Sequence, residues 1–255
     1  MEDAFHLFRD AHDWDDLSRL VLSQARSLTA QGREGTLQSW MEGLPDELIE
    51  KNPGLLYWLG VCRGQSAPAD SLTLFERAFH LFQAQGNGAG ALQVWVNAVG
   101  VIFSQLSFKM LDRWIEWFDE HISRNPAFPS PETEALAAAR IATALYSRKP
   151  GRPDIQKWLE RSLSLSRGMT DPGLRFRSCA FAGSYYFWKG DIANSHLKVE
   201  EADQMAQSAF LSPSDQIRWR YQKSAVYAMV WADYDLFLDL ASEALEIAEK
   251  SGFDT

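Results

Sequence analysis

The chain has 255 residues, 46% of them hydrophobic and 13% aromatic, which is ample for a continuous core and far from a disordered composition. Its formal net charge of −9 repels duplex nucleic acid unless positive charge is segregated, so no direct nucleic-acid binding is expected. The most apolar stretch, 91–103, is too short to span a bilayer, and Met1-Glu2-Asp3 opens an acidic amphipathic segment rather than a leader; a cytoplasmic chain without membrane contact is expected.

Apolar residues recur at helical spacing from the start, as in Leu17, Leu20, Val21, Ala25 and Leu28, and again near the end in Leu236, Leu240, Ala244 and Ile247. Glycine and proline fall between such stretches, at Gly32, Gly43-Leu44-Pro45, Asn52-Pro53, Gly86-Asn87-Gly88, Asn125-Pro126, Gly151-Arg152-Pro153, Gly168 and Gly190-Asp191. Helices are predicted over 2–11, 14–30, 34–43, 45–51, 53–64, 69–85, 89–106, 108–124, 131–148, 153–167, 172–189, 191–210, 213–232 and 234–250. Nothing reads as a strand, so the fold class is all-α. No connection is long enough for a linker, and one domain spans 1–255, with atypical helices over 1–52 and five helical hairpins over 53–255.

The hairpins are periodic. A cap residue followed by proline opens three first helices 41 residues apart, at Ser130-Pro131, Asp171-Pro172 and Ser212-Pro213. Ser or Asp accepts from free backbone N–H groups at a helix start, and proline fits the next position because no N–H is needed there. Restarting one unit at a fixed interval marks a helical solenoid. Small residues recur as well: Gly60, Gly100 and Gly183 in first helices, Ala78, Ala202 and Ala244 in second helices. A mid-helix glycine is unfavourable by about 1 kcal/mol against alanine, so these positions predict crowding by the partner helix.

The pattern of Gly183, Tyr186, Gly190-Asp191 and Ala202, echoed by Ala225, Ala228, Ala232-Asp233-Tyr234 and Ala244, resembles the tetratricopeptide repeat, although 41 residues exceeds the roughly 34 of that repeat. The run from Gly32 to Pro45, with Leu48, Asn52-Pro53 and Leu55-Leu56 behind it, resembles the start of the helical-repeat region of MalT-type, LuxR-family ATP-dependent transcription regulators. Ahead of it, Ala11-His12-Asp13-Trp14 is similar to an alanine-glycine-aspartate-tryptophan turn of that family, with His12 in place of glycine. The resemblance implies a right-handed superhelix of TPR-like hairpins. It implies a sensor region of a larger regulator, whose ATPase and DNA-binding modules would lie outside this chain.

No catalytic constellation is expected. The five histidines lack companions at zinc-site spacing, no phosphate loop or GxSxG elbow occurs, and Cys62 and Cys179 read as buried thiols. The expectation is therefore a non-enzymatic protein with no cofactor and no metal. Charge is segregated: the first helices carry nine basic and three acidic residues, net +6, leaving −15 for the rest. The resemblance implies that first helices line an inner wall, so a small anionic effector or a protein or peptide segment is the expected partner, with self-association also open. Candidate groove residues are Tyr57, Asn97, Arg140, Arg177, Phe187, Trp219, Gln222 and Lys223. A stand-alone scaffold or peptide receptor of tetratricopeptide type is the alternative.

Overall fold

The computed structural model describes residues 2–64, 66–105, 107–124, 127–169, 171–208, 211 and 213–250. Among them are fourteen α-helices, one 3-10 turn at Phe108–Met110 and no strand, so the all-α expectation holds. The helices are α1 (Glu2–Asp10), α2 (Trp14–Ala30), α3 (Glu34–Glu42), α4 (Asp46–Lys51), α5 (Pro53–Arg63), α6 (Pro68–Ala84), α7 (Gly88–Ser104), α8 (Leu111–Arg124), α9 (Pro131–Arg148), α10 (Ile155–Arg167), α11 (Pro172–Trp188), α12 (Ile192–Ser208), α13 (Pro213–Trp231) and α14 (Tyr234–Lys250). Two compact units divide the chain, residues 1–114 and 115–255.

Local chemistry explains most boundaries. Asn52 Oδ1 accepts from the amides of Gly54 (2.9 Å) and Leu55 (3.3 Å) just ahead of Pro53. Asp171 Oδ1 does the same for Gly173 (2.8 Å) and Leu174 (3.2 Å), and Ser130 Oγ accepts from Thr133 N (3.2 Å). Two of the three periodic cap-proline pairs are thus seen working; Pro213 opens α13, while Ser212 lies outside the described residues. Helix α10 begins two residues later than 153. Arg152 sits in the turn, its guanidinium bonded to Asp154 (2.6 Å) and to Asp119 of α8 (2.7 Å).

A second recurring device closes the helices. His12, Gly32, Gly86 and Gly190 have φ of 56°, 70°, 68° and 82°. In each turn the next residue's amide reaches back five positions in Schellman fashion: Asp13 to Phe8, Arg33 to Leu28, Asn87 to Phe82 and Asp191 to Tyr186, all at 2.9 Å. Asp13, Asn87 and Asp191 then cap the following helix through their side chains. Ala232 (φ 53°) and Asp233, which caps through Leu236 N, serve the same role before α14.

In the first unit, Phe5 stacks on Trp40 at 5.1 Å, and α5, α6 and α7 pack together over buried Leu55, Leu56, Phe75 and Trp95. Trp95 Nε1 donates to the Trp114 carbonyl (2.7 Å). Helix α7 is apolar nearly all round, as a helix enclosed on several sides must be. In the second unit α9 packs on α10, α11 on α12 and α13 on α14. Successive first helices touch as well, α9 with α11 and α11 with α13. Phe176, Cys179, Val199, Ala202, Trp219 and Val226 form the core around α11–α13.

Two of the three helical glycines that read alike in sequence, Gly60 and Gly183, differ. A Cβ on Gly60 would lie 2.7 Å from the buried Phe75 ring, so crowding by the partner helix is real there. On Gly183 a Cβ would meet Lys198 and Val199 at 3.5 Å, an ordinary contact with room for one methyl. What the two share is polar: Ser71 Oγ donates to the Gly60 carbonyl (2.7 Å) and Ser195 Oγ to the Gly183 carbonyl (2.9 Å).

Candidate functional site

Residues about one repeat apart on successive first helices meet. In the first unit Asn97 Nδ2 of α7 donates to Tyr57 Oη of α5 (3.0 Å) and to its own helix at Gln93 O (3.2 Å). Tyr57 is buried, which raises its phenol above the ordinary value. In the second unit Gln222 Nε2 of α13 donates to the Ala180 carbonyl of α11 (2.6 Å) and to Ser184 Oγ. Residues 40 to 42 apart thus meet across first helices, but these three site candidates, Tyr57, Asn97 and Gln222, spend their polar atoms holding neighbouring helices together.

Trp219 and Lys223 likewise turn toward a partner. Trp219 is buried in the α11–α13 core, edge-on to Phe176 at 5.6 Å, and its Nε1 donates to Asp203 of α12 (3.1 Å). Lys223 Nζ bonds the other oxygen of Asp203 (2.8 Å). Phe187 packs partly buried against the same core, while its neighbour Trp188 is exposed. A run of four aromatics, 185–188, turns about 100° per residue, so some must face outward.

What remains is a cluster of arginines. Arg140 comes from α9, Arg177 from α11 and Arg218 from α13. Arg177 Nη1 bonds Asp215 Oδ2 (2.8 Å), and Asp171 lies 3.8 Å from Nη2. Asp215 is only 5% exposed. Arg140 makes no hydrogen bond or ion pair among the described residues. Burial, then the like charges of Arg218 and Arg177, bring its guanidinium down to about 9 against the pull of Asp215. At that value Arg140 is still a cation at neutral pH, within electrostatic reach of Arg177, Arg218 and the buried carboxylate of Asp215. Such an arrangement favours an anion that can accept from several guanidinium forks.

Other chemistry is sparse. Cys62 and Cys179 are both pushed up to about 12, chiefly by burial, which keeps them as unreactive thiols at neutral pH. Cys179 is buried as expected; Cys62 is only half-buried. Among the described residues no group of three His, Cys, Asp or Glu side chains could hold a metal ion, and no helix is long and apolar enough to cross a membrane.

No protein-family model matches the sequence, and no curated protein does. Among solved structures the chain is similar to BtubC (BKLC) from P. vanneervenii, at a TM-score of 0.52 and 14% identity, covering 96% of this chain and 93% of that one. The likeness is one of fold.

Of the eight sequence candidates, the structure brings Arg140 and Arg177 into one cluster. It adds Arg218, which the sequence places among the basic first-helix residues but not in the site. The signal for it was present: Arg218 follows Arg177 by 41 residues, the repeat interval itself.

Proposed function

We propose that this chain is a non-enzymatic binding module whose arginine cluster takes a small anionic effector or an acidic peptide segment. The supporting observation is Arg140: a half-buried guanidinium without a bond of its own, beside Arg177 and Arg218. The resemblance of 32–56 and of the repeats supports a more specific role as the sensor region of a LuxR-type ATP-dependent transcription regulator, acting in the cytoplasm. In that role the effector must favour one packing of the helices over another, because only differential affinity shifts a population.

Calorimetric titration with inorganic phosphate, a tricarboxylate and an acidic peptide tests the reading. At least one binds, and Arg140→Gln combined with Arg218→Gln weakens it by at least about ten-fold, equal to 1.4 kcal/mol, with helix content unchanged. Equal affinity in the double variant would remove the site.

A further inference from the structure

Charge around the arginine cluster narrows the class of anion it takes. Arg177 is already engaged. Its Nη1 bonds Asp215 Oδ2 at 2.8 Å, its Nη2 lies 3.8 Å from Asp171, and its fork lies over Gly173, where a Cβ would come within 3.2 Å of Nη1. Asp215 is buried, and a buried pair keeps its geometry because breaking it strands an unpaired charge. Arg177 and Asp215 therefore cancel, and they tie α11 to α13. Asp171 opens α11 and accepts from the amides of Gly173 and Leu174, so its charge is met by the positive end of that helix.

The other two cations are uncompensated. Arg140 on α9 is half-buried and Arg218 on α13 is exposed; neither makes an ion pair or hydrogen bond among the described residues. The charges acting on Arg140 are those of Arg218, Arg177 and Asp215. Three guanidiniums less one carboxylate leave a surplus of two positive charges. A monoanion neutralises only one of them. A dianion matches both, and a trianion sets excess negative charge beside Asp215.

We propose that Arg140 and Arg218 together take a small dianion, a phosphate monoester or a dicarboxylate, while Arg177, held by Asp215, keeps α13 in place on α11. Guanidinium forks accept either group. This assignment rests on the anion-binding role proposed above and gives it a charge class.

The test is calorimetric titration of the full chain with ions of like shape that differ by one charge. Methyl phosphate carries about −1.5 to −2 near pH 7 and methyl sulfate a single charge; succinate and butyrate make a second such pair. The dianion of at least one pair should bind at least about ten-fold more tightly than its monoanion. Which pair shows the gap tells whether both charges sit on one group or on two. Arg140→Gln and Arg218→Gln, made singly, should each close that gap, because one surplus cation remains. Circular dichroism should be unchanged in both; should Arg140→Gln lose helix, Arg218→Gln alone is read, since Arg218 is exposed. A gap that survives Arg218→Gln overturns the proposal, as does equal binding of monoanion and dianion. In that second case, loss of binding in the Arg140→Gln, Arg218→Gln double variant keeps the anion site and removes only its charge class. If none of the four ions binds, both fall.

Discussion

At the scale of single residues, the turns hold the clearest stored cost. His12 and Ala232 occupy left-handed backbone where the equivalent turns have Gly32, Gly86 and Gly190. A Cβ there is unfavourable by about 1 kcal/mol. Ala232→Gly should therefore raise the denaturant midpoint, by about 1 kcal/mol in stability, and a lowered midpoint would refute the strain. His12→Gly should gain less, because the His12 ring also contacts Trp14 at 5.3 Å and its Nδ1 lies 3.2 Å from the Asp10 carbonyl oxygen. The helical glycines predict opposite signs. Gly60→Ala drives a methyl into the buried Phe75 ring and should destabilise by about 1–3 kcal/mol. Gly183→Ala finds room and should be neutral or stabilising by up to about 1 kcal/mol, whereas Gly183→Leu should lose stability against Val199. Thermal melts of the three variants decide this, and equal losses for Gly60→Ala and Gly183→Ala would show the distinction to be false.

Between elements, the Arg152 turn acts as a clasp on α8 and α10. Asp154 is held below the ordinary carboxylate range, first by its hydrogen bond to Arg152, while Asp154 and then Asp119 raise the Arg152 guanidinium above its usual value. A carboxyl depressed in the folded state contributes stability above its unfolded value near pH 4 and loses it as pH falls through the folded one. Asp154→Asn should therefore remove about 1–2 kcal/mol at neutral pH and flatten the acid limb of the stability profile. Urea midpoints at pH 7 and pH 3 provide the check; a variant whose pH dependence matches the parent would contradict the clasp. At this same scale the helix boundaries were legible beforehand, because caps, prolines and left-handed turns act within four or five residues. The late start of α10 was not legible. It depends on Asp119, more than thirty residues upstream.

For the whole molecule, stability should be a sum of local contacts, since within each unit the helices pack mainly on their neighbours along the chain. Gly60→Ala should accordingly lower hydrogen-exchange protection in α5–α7 and leave α11–α14 unchanged; uniform loss along the chain would exclude this. The net +6 of the first helices is also redistributed at this scale. Arg220 is drawn to Glu243, Lys223 to Asp203 and Arg177 to Asp215, so of these first-helix cations Arg140 and Arg218 are left without an ion pair among the described residues.

The helices and the 41-residue interval between cap-proline pairs are written in the sequence. Those follow from hydrophobic period and capping, which are local and written in consecutive residues. Only the tertiary structure decided which polar side chains are already engaged. Trp219 and Lys223 are claimed by a carboxylate on α12, and Arg140 is left unbonded. That outcome depends on distances between helices, and helical spacing along one chain does not encode them.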